Sequence, residues 1–185
     1  MMTNSLSFCF IKTSKAHTYS NRWSKMIHVA SDGKAVTTQK TFSRETAIST
    51  DIEADRSIVW ALLTNADDYP RWNSTIVSID GTIEKGEKIK LKSTLDAKRV
   101  FKLTIKEYDP ENRLVWGDAM GKRTYTLKAA GSGLTSFSMT ERIGGPMFPL
   151  FSRMVPSFDQ SFEQFARDLK GEAESIQKTT TAENG

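Results

Sequence analysis

From Thr46 onward apolar and polar positions alternate, with Ile48, Thr50 and Ile52 set against Ser49, Asp51 and Glu53. A period of two marks a strand with one buried face. Asp55 then stands where a helix N-cap belongs, its carboxylate placed to accept from the free amides of the first turn. Ile58, Val59, Leu62 and Leu63 follow at helical spacing around Trp60 and predict a helix ending near Asn65. Asp67-Asp68-Tyr69-Pro70 starts a second short helix or turn that closes at Trp72.

Strands joined by turn residues come next. They are predicted at 75–80, 88–95, 100–108, 114–118, 123–128 and 134–143, punctuated by Gly81, Gly86, Asp109-Pro110, Gly121 and Gly131-Ser132-Gly133. Hairpin-linked strands of this kind form an antiparallel sheet with one apolar face. After Gly144-Gly145-Pro146 the apolar positions change period. Phe151, Met154, Val155, Phe158, Phe162, Phe165, Leu169 and Ile176 recur at three- and four-residue steps, which is the stripe of an amphipathic helix. Pro156 interrupts that stripe, so the helix is either kinked there or begins near Ser157.

One sheet with one apolar face needs a cover, and only the C-terminal helix is long enough to supply it. The predicted class is therefore α+β with a helix-grip arrangement. A curved seven-stranded antiparallel sheet wraps around the long helix, with two short helices after the first strand. The domain spans 42–177, preceded by a poorly ordered extension over 1–41 and followed by a polar tail over 178–185.

Composition narrows the function. The 185 residues are 38% hydrophobic and 26% charged, which suits one soluble domain with a single core. No stretch approaches the roughly 18 apolar residues that span a bilayer, so no integral membrane contact is expected. The net charge of +4 is unevenly placed. Residues 1–44 hold seven Lys/Arg against Asp32, a balance of +6 that leaves −2 for the remainder. Nucleic-acid binding wants positive charge as a patch on the folded surface, so no nucleic-acid partner is expected. The extension lacks a secretory signal; its basic, Ser-rich makeup overlaps with a transit peptide, or translation begins at Met26. A lone cysteine, Cys9, fits a reducing compartment and a cytoplasmic location. His17 and His28 both precede the domain, which therefore lacks the ligand types of a zinc or non-haem iron site. No metal, cofactor or catalytic residue is assigned.

The resemblance to a known family rests on several segments. They are Ser57-Ile58-Val59-Trp60-Ala61-Leu62-Leu63-Thr64 with Tyr69-Pro70-Arg71-Trp72-Asn73, and Tyr108-Asp109-Pro110 with Arg113-Leu114-Val115-Trp116. Gly133-Leu134-Thr135-Ser136-Phe137 with Glu141 and Gly145, and Phe162, Leu169-Lys170 and Glu174, complete the set. In this order the chain resembles the START-like (SRPBCC) superfamily, in its polyketide cyclase/dehydrase and lipid-transport group. The resemblance implies a small, largely apolar ligand, lipid-like or polyketide-like, held between the concave sheet face and the last helix. It leaves function open among a carrier, a cyclase or dehydratase, and a protein-interaction module of the chaperone-activator type. The chain is expected to be a monomer or a homodimer.

Alternation selects the candidate lining. From the sheet come Leu91, Ser93, Leu95, Phe101, Leu103, Leu114, Trp116, Tyr125, Leu127, Phe137 and Met139, and from the helix side Phe151, Met154, Val155 and Phe158. The same residues would serve equally as plain core, since pockets are lined by the same types. Trp72 either lines the mouth or plugs the helix pair against the sheet. Arg99, Arg123 and Glu141 share the inward parity. Arg99 fits a solvated rim, whereas Arg123 with Glu141 is either a polar anchor for a ligand or a rim pair in water.

Overall fold

The computed structural model describes residues 32–183. The expectations for residues 1–31, on a leader and on a start at Met26, lie outside the described residues. Within 32–183 the strands are β1 (Val36–Lys40), β2 (Ser43–Ile52), β3 (Ile76–Asp80), β4 (Lys88–Ser93), β5 (Asp96–Asp109), β6 (Arg113–Gly117), β7 (Gly121–Gly131) and β8 (Leu134–Gly144). Helices α1 (Arg56–Thr64) and α2 (Tyr69–Trp72) follow β2, α3 (Phe148–Phe151) follows β8, and α4 (Asp159–Glu183) ends the described chain. The strands pair antiparallel in one open sheet, in the order β1-β2-β8-β7-β6-β5-β4-β3. The class is α+β, a large antiparallel sheet with a long C-terminal helix, as expected.

The sheet has eight strands rather than seven. Val36–Lys40 falls in the stretch expected to be poorly ordered, yet it pairs with β2 from Val36↔Ala47 to Lys40↔Ser43. As an edge strand it leaves nearly every side chain in water, so its residues carry no alternation to betray it. The C-terminal boundary moves as well. Residues 178–183, read as a tail, continue α4.

Helix α4 buries Phe162, Phe165, Ala166, Leu169 and Ala173, one stripe on an otherwise polar helix. It also holds the loops beneath it. Glu174 Oε1 accepts from the Glu53 amide at 3.0 Å, Gln177 Oε1 from the Asp55 amide at 2.9 Å, and Asp168 Oδ2 from the Ser74 amide at 2.8 Å. Asp55 is the N-cap residue of α1, but its carboxylate makes no capping bond. The core lies between the concave sheet face and α1, α2 and α4. Phe165 sits at its centre, with ring centroids of Trp72 and Tyr125 at 5.7 Å, Tyr69 at 6.4 Å and Phe137 at 6.5 Å.

Candidate functional site

Strand register arranges the concave face in rows. One row runs Thr46, Glu141, Arg123, Trp116, Ile105, and the next Ile48, Met139, Tyr125, Leu114, Tyr108. The second row and most of the third, Thr50, Phe137 and Leu127, are apolar. The first row places an ion pair among apolar neighbours. Arg123 Nε lies 2.5 Å from Glu141 Oε2, with only 17% and 15% of the two side chains exposed. The Arg123 guanidinium also stands over the Phe162 ring of α4, 5.1 Å from its centroid. A guanidinium so placed keeps its charge, and burying that charge without a partner is costly. Burial works against the Arg123 charge, but the Glu141 carboxylate and the Tyr125 oxygen together outweigh it and raise the guanidinium pKa.

Tyr125 points its hydroxyl into the same region. The Arg123 guanidinium lies close enough to act on its oxygen both by charge and as a donor, yet no acceptor takes the hydroxyl's own proton. Burial pushes the phenol up to about 12, with the Arg123 charge pulling the other way. At neutral pH Tyr125 is therefore protonated, a donor beside a fixed cation. The Trp72 indole N–H is a second buried donor without a partner. Burying such donors unpaired costs on the order of 1–3 kcal/mol each.

The segment between β8 and α4 closes this end. Pro156 cannot continue a helix, so the chain passes through α3 and a 3-10 turn (Ser152–Met154) before α4 begins. The carbonyls freed there need donors, and Arg44 supplies them. Its Nη1 donates to the Val155 carbonyl at 3.0 Å and its Nη2 to that of Pro156. The same guanidinium covers the Phe158 ring at 5.1 Å, and Phe158 stacks on Phe162.

Set against the sequence-derived candidates, the structure divides them. Trp116, Tyr125, Phe137 and Met139 are fully buried, and Leu91 and Trp72 nearly so. They pack as core across the centre of the face where a cavity lining was expected. Trp72 packs 4.9 Å from Tyr69 as well as against Phe165, in the position of a plug. Phe101 and Leu103 lie half-buried against the core, and Ser93 is spent on its own turn, its Oγ accepting from the Leu95 amide. Leu95 is exposed, not inward, because it forms the β4–β5 turn. Arg99 is exposed over the Phe101 ring, as a rim residue should be. Arg123 and Glu141 do come together, with Phe158 and Val155 at their end of the sheet. Phe151 packs edge-on against buried Phe148. Met154 is a correction. It is 83% exposed, since the 3-10 turn throws it out of phase with α4.

Arg44, Thr46, Phe148 and Phe162 were missed as contributors. Arg44 shares parity with Thr46, Ile48 and Ile52, which would have revealed it had β2 been begun three residues earlier.

Comparison with known proteins bears on this arrangement. The family model described as polyketide cyclase / dehydrase and lipid transport matches residues 43–174. No curated protein sequence matches the chain. Among solved structures, a START superfamily protein from Mycobacterium smegmatis aligns with a TM-score of 0.54 at 13% identity, covering 71% of this chain and 98% of that one. A protein from Rhodobacter sphaeroides aligns with a TM-score of 0.56 at 15% identity, covering 77% and 99%. DynU16, a putative protein in the dynemicin biosynthetic locus, aligns with a TM-score of 0.54 at 14% identity, covering 72% of this chain and 48% of that one. At these identities the likeness is one of fold.

Proposed function

We propose, for a chain that belongs to the polyketide cyclase / dehydrase and lipid transport family, that it binds a small, largely apolar molecule carrying one polar group. The bound molecule lies at the Arg123 end of the concave face, beneath the segment joining β8 to α4. The observation that carries this reading is the buried Arg123–Glu141 pair with the unpartnered Tyr125 hydroxyl beside it. Natural cores seldom keep a polar donor unsatisfied, and a ligand oxygen would satisfy this one.

The centre of the face is already packed, so the apolar part of the ligand requires the β8–α4 segment to move outward. That segment is held by Arg44 and by the anchor Phe148 rather than by helical continuity with α4. Tyr125, neutral at physiological pH, donates to a carbonyl or hydroxyl oxygen of the ligand, and Glu141 keeps Arg123 in place. We assign binding, not turnover, because a phenol with a raised pKa is a poor base.

Mass spectrometry of the natively purified protein tests the reading. A co-purifying small molecule of this character is expected, bound with saturable affinity and weakened by Tyr125→Phe. Chemical conversion of that molecule would favour the cyclase or dehydratase alternative. A ligand-free protein that binds neither a fatty acid nor an apolar dye would overturn the proposal and favour an interaction module.

A further inference from the structure

Nine large hydrophobic side chains are exposed among the described residues, and five of them converge on one end of the molecule. Phe42 occupies the β1–β2 turn, Met120 the β6–β7 turn, and Met147, Leu150 and Met154 the segment after β8. Two backbone hydrogen bonds tie these three stretches together. The Gly144 amide donates to the Met120 carbonyl and the Gly145 amide to the Phe42 carbonyl, both at 3.0 Å. Gly144 allows that approach, because a Cβ there would come within 2.7 Å of the Phe42 oxygen. Leu150 is 77% exposed and Met147 62%.

Positive charge surrounds them. Lys106, Lys122 and Arg142 line an open cleft of about 320 Å³ with Phe42 and Met120, and exposed Arg153 stands between Leu150 and Met154. Asp118 is the carboxylate of that cleft, and its Oδ1 is engaged by the Met120 and Gly121 amides at 2.7 and 2.8 Å. Scattered exposed hydrophobics need no explanation, but a cluster with a polar rim does.

We propose that this end of the molecule docks reversibly on an anionic lipid bilayer, inserting Phe42, Met147, Leu150 and Met154 between headgroups while Lys106, Lys122, Arg142 and Arg153 meet the anionic lipids. Charge excludes two other occupants. Residues 1–31 carry Lys12, Lys15, Arg22 and Lys25 and no acid, and a second copy would present the same positive rim. The form of the patch decides against an acidic protein. Its apolar side chains come from three separate stretches of chain, which a fluid interface accommodates and a protein would have to match with separate pockets. No helix among the described residues is long and apolar enough to cross a membrane, so the contact is peripheral. Each basic side chain near an anionic surface strengthens adsorption by about fivefold. The inference stands independently of the ligand reading, since vesicle binding and ligand content are measured separately.

Co-sedimentation of the full chain with vesicles tests it, comparing neutral phosphatidylcholine with a mixture containing about one third phosphatidylserine. Binding is expected to the mixture, and the double variant Met147→Asp/Leu150→Asp is expected to weaken it by about tenfold or more. Both side chains are exposed and neither belongs to the buried core, so the fold should persist. Lys122→Glu/Arg142→Glu should weaken binding similarly. As a check free of charge change, the added emission of Leu150→Trp should shift to the blue on mixing with the anionic vesicles. The proposal is overturned by equal affinity for both vesicle types or by an aspartate variant that binds as tightly as the parent. The latter result would place adsorption on the basic N-terminal segment. An unshifted Leu150→Trp emission overturns it equally.

Discussion

Glu141→Gln isolates the role of the buried ion pair. The substitution keeps the shape of the side chain and removes its charge, leaving Arg123 charged at every accessible pH between the Phe162 ring and the Tyr125 hydroxyl. Breaking a fully buried pair costs about 3–5 kcal/mol because a charge remains without compensation. Here about a sixth of each side chain still reaches water, and the new amide oxygen retains one acceptor. The expected loss is therefore about 2–3 kcal/mol, just below that range. Removing both charges should reverse most of it. Arg123→Met/Glu141→Met is expected to unfold within about 1 kcal/mol of the parent, since an apolar pair of similar volume avoids desolvation altogether. Urea unfolding followed by tryptophan emission, with m-values compared, measures all three proteins. A Glu141→Gln midpoint equivalent to less than about 0.5 kcal/mol would show a solvated rim pair of little worth and would sink the argument. A double variant as unstable as the single one would show that the stranded charge is not the cause. If the double variant is stable yet releases the polar ligand, the pair is retained for binding rather than for folding.

Two further outcomes follow from the core and the helix clamp. Phe165→Ala should cost about 3–5 kcal/mol, because the ring is 1% exposed and touches four other aromatic rings; a loss below about 1 kcal/mol in urea unfolding would refute its central place. Burial alone would raise the Glu174 carboxyl, but the Glu53 amide and Lys170 outweigh it and hold the pKa below its ordinary 4.5. Its stabilisation is thus complete above that value and lost as pH falls through the lowered folded-state pKa. Melting temperatures followed from neutral pH to about pH 3 should fall less steeply for Glu174→Gln than for the parent, and parallel curves would contradict the assignment.

Much of the fold was legible because its signals are local. The alternation in Ile48, Thr50 and Ile52, the turn at Asp109-Pro110 and the stripe through Phe162, Phe165 and Leu169 each follow from the geometry of a single element. Strand β1 was not legible, since an edge strand with solvated faces has no period to read. The site was less legible than the fold. Parity brought Arg123 to Glu141, because cross-strand neighbours on one face must meet, but it could not separate pocket from core. Trp116, Tyr125 and Met139 share one face whether a ligand or Phe165 covers them. Met154 failed for a related reason. A helical phase carried across Pro156 assumes a continuous helix, and the 3-10 turn resets it.

The order of strands has a consequence for how the chain is made. Strand β2 lies between β1 and β8, so its inner partner is the last strand of the sheet. During synthesis β2 leaves the ribosome some 90 residues ahead of β8, from Thr50 to its partner Phe137 by register. Until then one edge of β2 has no partner, and α4, which covers its apolar side chains, is later still. Strands β3 to β7 can form successive hairpins as they emerge, but the sheet cannot be completed until β8 is free. Such late, long-range closure slows folding and leaves an apolar strand open to wrong pairing while it waits. A message broken off between β2 and α4 therefore leaves the apolar face of β2 without its helical cover.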